Sequence, residues 1–358
     1  MSEFYDLTVK NVRKETEECA SVELDVPEEL HKEFDFKQGQ HIIFKKDLNG
    51  EELRRTYSLC TSPLDKEWRV CVKQIPEGKF STFVNQELKA GDRIDAMAPT
   101  GKFGLTVEDD PEEAKNYIFF AAGSGITPIL SMIKTRLLKE PYSTCQLFYL
   151  NRRVKTIIFK EELEQLRNKY LGRFELFHFL SEEQRNIPLL SSFDAEKIHQ
   201  LTQNIIDIEA VNSCFICGPE DLTFMIRDEL VNAGLAKNKI HYELFVTGLS
   251  EEDKKRAAEA MEKRYDGTKI TVLDAGKEFH FTMTEEYDNV LDAALAAGAD
   301  VSFACKGGVC STCKCKLIDG SVEMKKNYAL EEEELQQNYI LSCQAVPTSE
   351  EVKVDYDA

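Results

Sequence analysis

Four cysteines constrain this chain more than any other feature. Cys305, Cys310, Cys313 and Cys343 read C-x4-C-x2-C-x29-C in the last part of a 358-residue sequence. Three of these thiols must share one tight loop, and a separate segment must bring the fourth. Thiolates at this spacing are the soft donors that an iron–sulfur cluster requires. Gly307 and Gly308 let the loop turn sharply and let backbone N–H groups approach the sulfurs, which favours a reduced, anionic cluster. A structural zinc is the competing reading, but zinc knuckles usually come as two C-x2-C pairs and only one is present. Cys315 reads as a buried structural thiol, with a ligand set ending there as a minor alternative.

The remaining composition narrows the setting. The formal net charge is −19, which argues against nucleic acid and for a basic patch on a protein partner. The first ten residues, MSEFYDLTVK, lack the basic start and apolar run of a signal peptide. No run approaches the ~18 apolar residues of a spanning helix, so no membrane insertion is expected and the protein is expected in the cytoplasm. The 11 cysteines are then expected as reduced thiols. The length suggests two or three domains.

Hydrophobic patterning supports three. Residues 5–12, 19–26, 41–44, 69–74 and 93–97 alternate or carry β-branched residues between glycine turns, which suggests a small antiparallel barrel. Residues 107–115 read as an acidic connector. A continuous apolar run at 117–122 marks a strand buried on both faces. Further strands at 146–150, 174–180, 214–217 and 241–245 alternate with helices at 126–139, 159–169, 195–202 and 222–233, the pattern of a parallel sheet between helices. Residues 246–266 read as a charged linker, partly helical. Beyond them, strands at 269–273, 278–283, 315–317 and 351–355 and a helix near 289–297 frame the cysteine loop. The Glu331–Glu334 run reads as a solvated helix face. The 267–358 segment carries 8 Lys against 17 Asp and Glu, a net −9.

Other constellations also bear on chemistry. Arg55, Tyr57 and Ser58 form R-x-Y-S, and Gly78, Lys79, Phe80, Ser81 and Thr82 follow Val72 and Lys73. An arginine fork suits a pyrophosphate, and a glycine turn with hydroxyls at a helix start suits a phosphate. Taken alone, R-x-Y-S reads as an ordinary strand with a polar face. Gly123, Gly125, Thr127 and Pro128 sit between the buried 117–122 strand and the next helix, a second place where a helix start meets phosphate; alone, this is a glycine turn. Cys217, Gly218 and Pro219 end a later strand, at the edge where parallel sheets bind ligands, although a buried thiol is the commoner fate of a cysteine. Arg152, with Asn151, Arg153 and Lys155, follows the second strand of this sheet, and no carboxylate appears before Glu161. That favours NADPH over NADH, against the plainer reading of a solvated basic loop.

Together these motifs resemble the ferredoxin–NADP reductase superfamily, here with a C-terminal module similar to plant-type ferredoxins. The resemblance implies a flavin-binding β-barrel at 1–106, an NAD(P)-binding α/β domain at 112–246, a linker at 247–266 and a β-grasp 2Fe–2S domain at 267–358. It implies FAD, with FMN as the lesser alternative, held by the barrel motifs, with Tyr57 against the ring and Ser58 near its N5. It places Cys217 at the nicotinamide and has Glu243 and Phe245 flank the flavin. No nucleophile or acid–base dyad is required, and Ser58, Cys217, Glu243 and Phe245 are the expected reaction-centre residues. The domain order resembles reductase components of multicomponent oxygenases. The implied partner is a protein electron acceptor, expected to be an oxygenase; a ketosteroid hydroxylase, a desaturase and the hybrid-cluster protein remain open. A redox-sensing or scaffold protein with a structural zinc is the non-enzymatic alternative.

Overall fold

A computed structural model describes residues 3–104, 112–183, 193–245 and 251–358. Most of the expected connector, and the first residues of the expected linker, lie outside them. The chain forms two compact units, Phe4–Phe245 and a second one from Val246 to Ala358. Among the described residues no helix is long and apolar enough to cross a membrane.

The first unit opens with six antiparallel strands: β1 (Phe4–Thr16), β2 (Cys19–Asp25), β3 (His41–Leu48), β4 (Glu51–Ser58), β5 (Trp68–Lys73) and β6 (Arg93–Met97). They run in the order β4-β3-β6-β1-β2-β5, and a Leu59–Val70 bridge joins the two edges. Alternate residues point inward, so Val9, Val22, Ile42, Phe44, Val70, Val72 and Ile94 share one core. Helix α1 (Lys79–Gln86) contributes Phe80 and Val84 to that core.

A parallel sheet follows, built from β7 (Asn116–Ala122), β8 (Thr144–Asn151), β9 (Phe174–Leu180), β10 (Ser213–Gly218) and β11 (Ile240–Leu244), in the order β11-β10-β7-β8-β9. The apolar run of β7 has a direct cause. Tyr117, Phe119 and Ala121 enter one core, while Ile118 and Phe120 enter another on the opposite face. Helices α2 (Ile126–Lys139) and α3 (Lys160–Lys169) cover the first face, and α4 (Ala195–Asn204) and α5 (Glu220–Asn232) the second. Helix α3 begins one residue later than the pattern suggests, because Phe159 has φ +58°, a left-handed backbone that no helix interior accepts.

Barrel and parallel sheet are welded together. Cys19, Cys60 and Cys71 of the barrel pack in the same core as α2. The Ser131 hydroxyl donates to the Thr61 carbonyl at 2.6 Å, Ser62 and Thr135 hydroxyls pair at 2.9 Å, and Arg69 meets both oxygens of Glu162 at 3.0 Å.

The second unit starts with α6 (Glu251–Glu262) and carries β12 (Lys269–Asp274), β13 (Lys277–Thr282), α7 (Val290–Ala296), β14 (Lys314–Asp319), β15 (Val322–Met324), α8 (Glu332–Gln336), β16 (Tyr339–Leu341), β17 (Ala345–Pro347) and β18 (Glu351–Asp355). Its main sheet runs β13-β12-β18-β14-β16, with β12 and β18 parallel; β15 and β17 form a separate pair. Asn289 caps α7 by accepting the Asp292 N–H, and Val290, Leu291, Ala293 and Ala294 fill the core against the sheet.

Candidate functional site

Strand β4 sorts its motif by alternation. Arg55 and Tyr57 lie on one face, Thr56 and Ser58 on the other. The Tyr57 ring stacks on Phe80 at 5.8 Å and leans on Phe44 at 6.0 Å, so it presents one face supported from behind. Arg55 is exposed and donates to the Arg54 carbonyl at 2.7 Å. Val72 points into the barrel core. At the start of α1, the Ser81 hydroxyl is spent on its own turn: it accepts from the Ile75 N–H at 3.2 Å and donates to the Gly78 carbonyl at 3.1 Å. Thr82 accepts from the Gln74 amide at 3.2 Å, and Lys79 pairs with Glu51. What this helix start offers an anion is therefore its backbone N–H groups.

The second glycine turn, Gly123–Gly125, links β7 to α2. A side chain on Gly125 would put Cβ 2.1 Å from the Cys217 carbonyl, so only glycine lets the turn lie against β10. The Thr127 hydroxyl donates to the Ser124 carbonyl at 3.0 Å, Pro128 is buried in the first turn of α2, and the Tyr149 phenol donates to the Gly123 carbonyl at 2.9 Å. Lys73 reaches this turn from the barrel; its Nζ would lie 3.9 Å from a Cβ on Gly123.

The two sheets meet at Ser58 and Glu243. Cys217 and Glu243 are partners on adjacent parallel strands, and the Ser58 hydroxyl donates to Glu243 Oε2 at 3.5 Å, the long limit of a hydrogen bond. Burial pushes the Glu243 carboxyl up to about 8, with Ser58 opposing. Burial, reinforced by Glu243, holds the Cys217 thiol well above its ordinary range, so it is a neutral thiol. Gly218 and Pro219 carry the chain from β10 into α5. The Phe245 N–H donates to the Gly218 carbonyl at 3.1 Å, and its ring packs on the core beside α2.

Among the described residues, the buried polar atoms of this unit without a hydrogen-bond partner include His41 Nε2, Thr56 Oγ1 and Asn151 Nδ2. His41 lies directly opposite Ser58 across β3 and β4, and burial lowers its imidazole to about 4. Buried polar atoms are almost always paired in a complete structure, so unpaired ones on the Ser58 face fit a bound flavin. The linear reading misses His41, Thr56 and Tyr149, because nothing local in the sequence marks them. It also misses Glu182. Following β9, Glu182 donates its N–H to the Arg152 carbonyl at 2.9 Å, and its carboxylate sits 2.8 Å from Arg153 Nε and 3.8 Å from Arg152 Nε. Glu183 accepts the Val154 N–H at 3.0 Å. The basic loop after β8 therefore has carboxylate neighbours from the next strand.

In the second unit the four cysteines gather two by two. The Cys310 thiol donates to Cys305 Sγ at 3.1 Å, and the Cys313 and Cys343 thiols hydrogen-bond to each other. The Cys310 bond, together with N–H groups of Gly307, Val309 and Cys310, lowers the Cys305 thiol to about 6. Gly308 has φ +72° and packs against the Lys326 carbonyl. The Gln344 amide donates to the Lys306 carbonyl at 2.9 Å. Two thiol pairs suit a binuclear cluster, with two thiolates for each iron. Cys315 is buried on β14 opposite Ile340, beside the Tyr356 phenol and outside both pairs.

Residues 6–104 match the oxidoreductase FAD-binding domain family, 119–228 the oxidoreductase NAD-binding domain family, and 272–348 the 2Fe-2S iron-sulfur cluster binding domain family. The fold and site define an NAD(P)H-dependent oxidoreductase that uses FAD and a 2Fe–2S cluster. One component of the 1,2-phenylacetyl-CoA epoxidase of Escherichia coli K12 is 38% identical over 100% of this chain and 99% of its own. The ferredoxin reductase component of 3-ketosteroid-9-alpha-monooxygenase from Rhodococcus rhodochrous is 30% identical over 98% and 96%. The chain belongs to the same family as these oxygenase reductase components. Phthalate dioxygenase reductase superposes with a TM-score of 0.64 over 98% of both chains at 22% identity, a likeness of fold.

Proposed function

We propose that this chain is the reductase component of a phenylacetyl-CoA epoxidase, drawing electrons from NADPH for a separate oxygenase in the cytoplasm. The flavin, when bound, accepts a hydride and releases electrons singly, which a 2Fe–2S cluster requires. The chain's own part is binding and orientation. Arg55, Lys73 and the N–H groups around Gly78–Thr82 hold the flavin's phosphates, Tyr57 backs its ring, and Ser58 meets its reactive edge. The Gly123–Gly125 turn, Thr127, Pro128, Gly218 and Pro219 cradle the nicotinamide nucleotide, and Cys217, Glu243 and Phe245 shape the place where its ring lies. Cys305 with Cys310, and Cys313 with Cys343, hold the two irons.

One observation carries the reading: Ser58 of the barrel and Glu243 of the parallel sheet share one buried corner beside Cys217. Hydride transfer needs two ligands held in one place, and a corner built from both sheets can hold one from each. NADPH is favoured by Arg152 and Arg153, although Glu182 tempers them. The phenylacetyl-CoA partner rests on the full-length match to the Escherichia coli epoxidase component.

The test is reconstitution. Purified reductase is mixed with NADPH and the oxygenase components of either phenylacetyl-CoA epoxidase or 3-ketosteroid 9α-hydroxylase, and product is quantified. Coupled epoxide formation with the first and not the second is expected. Turnover with the hydroxylase alone would transfer the assignment to it, and zinc in place of iron and sulfide would remove electron transfer altogether.

A further inference from the structure

Cys313 and Cys343 come from different segments, and a buried hydroxyl relay ties those segments together. Tyr356, just after β18, donates its phenol to Ser342 Oγ at 2.6 Å. Ser342 Oγ donates in turn to the Cys313 carbonyl at 3.0 Å, and the Ser342 N–H donates to the same carbonyl at 3.1 Å. The Ser342 carbonyl receives the Leu291 N–H from α7 at 3.1 Å. Ser342 is fully buried and immediately precedes Cys343.

We infer that Tyr356 and Ser342 form a positioning clamp that fixes the spacing of the Cys313 and Cys343 thiols, and with it the symmetry of the iron they hold. This rests on the reading that these two thiols are cluster ligands. Packing alone does not account for the arrangement. Phenylalanine would fill the tyrosine's volume, and alanine would leave position 342 without a buried hydroxyl that needs partners. The two hydroxyls join three segments: the loop before β14, the turn after β16 and the end of β18. Linked O–H groups polarise one another, and such partners of metal ligands tune affinity and electronic structure without touching the metal.

The experiment uses the full chain reconstituted with iron and sulfide. Tyr356→Phe, Ser342→Ala and Ser342→Thr are compared by the electron paramagnetic resonance of the dithionite-reduced cluster and by the rate at which an iron chelator bleaches it. Tyr356→Phe and Ser342→Ala should each speed bleaching about fivefold or more and shift the g-values. Ser342→Thr, which keeps the hydroxyl, should behave as wild type and guards against a mere failure to fold. A Tyr356→Phe variant with unchanged g-values and a bleaching rate within twofold of wild type would overturn the clamp. Wild-type protein that gives no 2Fe–2S signal would instead remove the ligand assignment, and the clamp with it.

Discussion

Glu243 is a carboxyl held where water is scarce, and its pH response follows from that. Its folded value, about 8, lies above the ordinary 4.5, so the folded state binds a proton that the unfolded state releases. The stability this supplies is fully present below about 4.5 and is lost as pH rises through about 8. Denaturant unfolding of the apoprotein should therefore show wild type losing roughly 2–4 kcal/mol between pH 5 and pH 8.5 relative to Glu243→Gln. Parallel curves would mean the carboxyl is already ionised. The charges after β8 give a second prediction. Arg152→Ala should raise KM for NADPH about tenfold and leave KM for NADH within twofold, since a charge-assisted bond to phosphate is lost. Glu182→Gln should lower KM for NADPH about threefold, the modest effect of removing an exposed competitor. Initial-rate kinetics with both nucleotides checks each. Arg152 is visible in the sequence because it directly follows a strand. Glu182 is not, because only the parallel pairing of β8 with β9 brings it alongside.

Helix α2 is the element whose pattern reads most plainly, and its bounds match the expected 126–139, because a glycine turn opens it and its apolar face is unbroken. What the pattern hides is an ion pair inside the core. Arg136 and Glu140 are both buried, and Glu140 also accepts the Ser143 hydroxyl at 2.8 Å while Arg136 lies over the Tyr117 ring at 4.8 Å. Removing one partner strands the other charge. Arg136→Met should cost about 3–5 kcal/mol in thermal or urea unfolding, and Arg136→Met with Glu140→Gln should recover most of it. Equal destabilisation by both variants would show that packing, not charge, is lost. Elements the sequence hides are short ones. Strands β15, β16 and β17 have three residues each, too few to show alternation. The Glu331–Glu334 run does form a helix start, but Glu334 is not simply solvated: it pairs with Lys314 at 3.0 Å and is largely covered.

At the scale of the whole chain, the three motif-bearing regions are legible in the sequence, but not that the first two share a core. The buried Cys19, Cys60 and Cys71 give no hint of packing beside α2, because nothing in a lone thiol names its neighbour. Charge is legible at this scale too. The 267–358 segment holds −9 of the −19, so electron delivery to a basic partner should fall with ionic strength. Between about 20 and 300 mM salt the second-order rate with the oxygenase should drop at least tenfold, while ferricyanide reduction changes far less. Stopped-flow rates across that range test it.

The placement of the thiols has a practical side. All four come from one contiguous stretch within one compact unit, so a graft of that stretch onto another reductase would carry the whole ligand set with it. The Ser58–Glu243 corner cannot be transplanted in this way. Its halves lie 185 residues apart in the chain, one in the barrel and one in the parallel sheet, and a hybrid spliced between the two would inherit surfaces shaped for different mates.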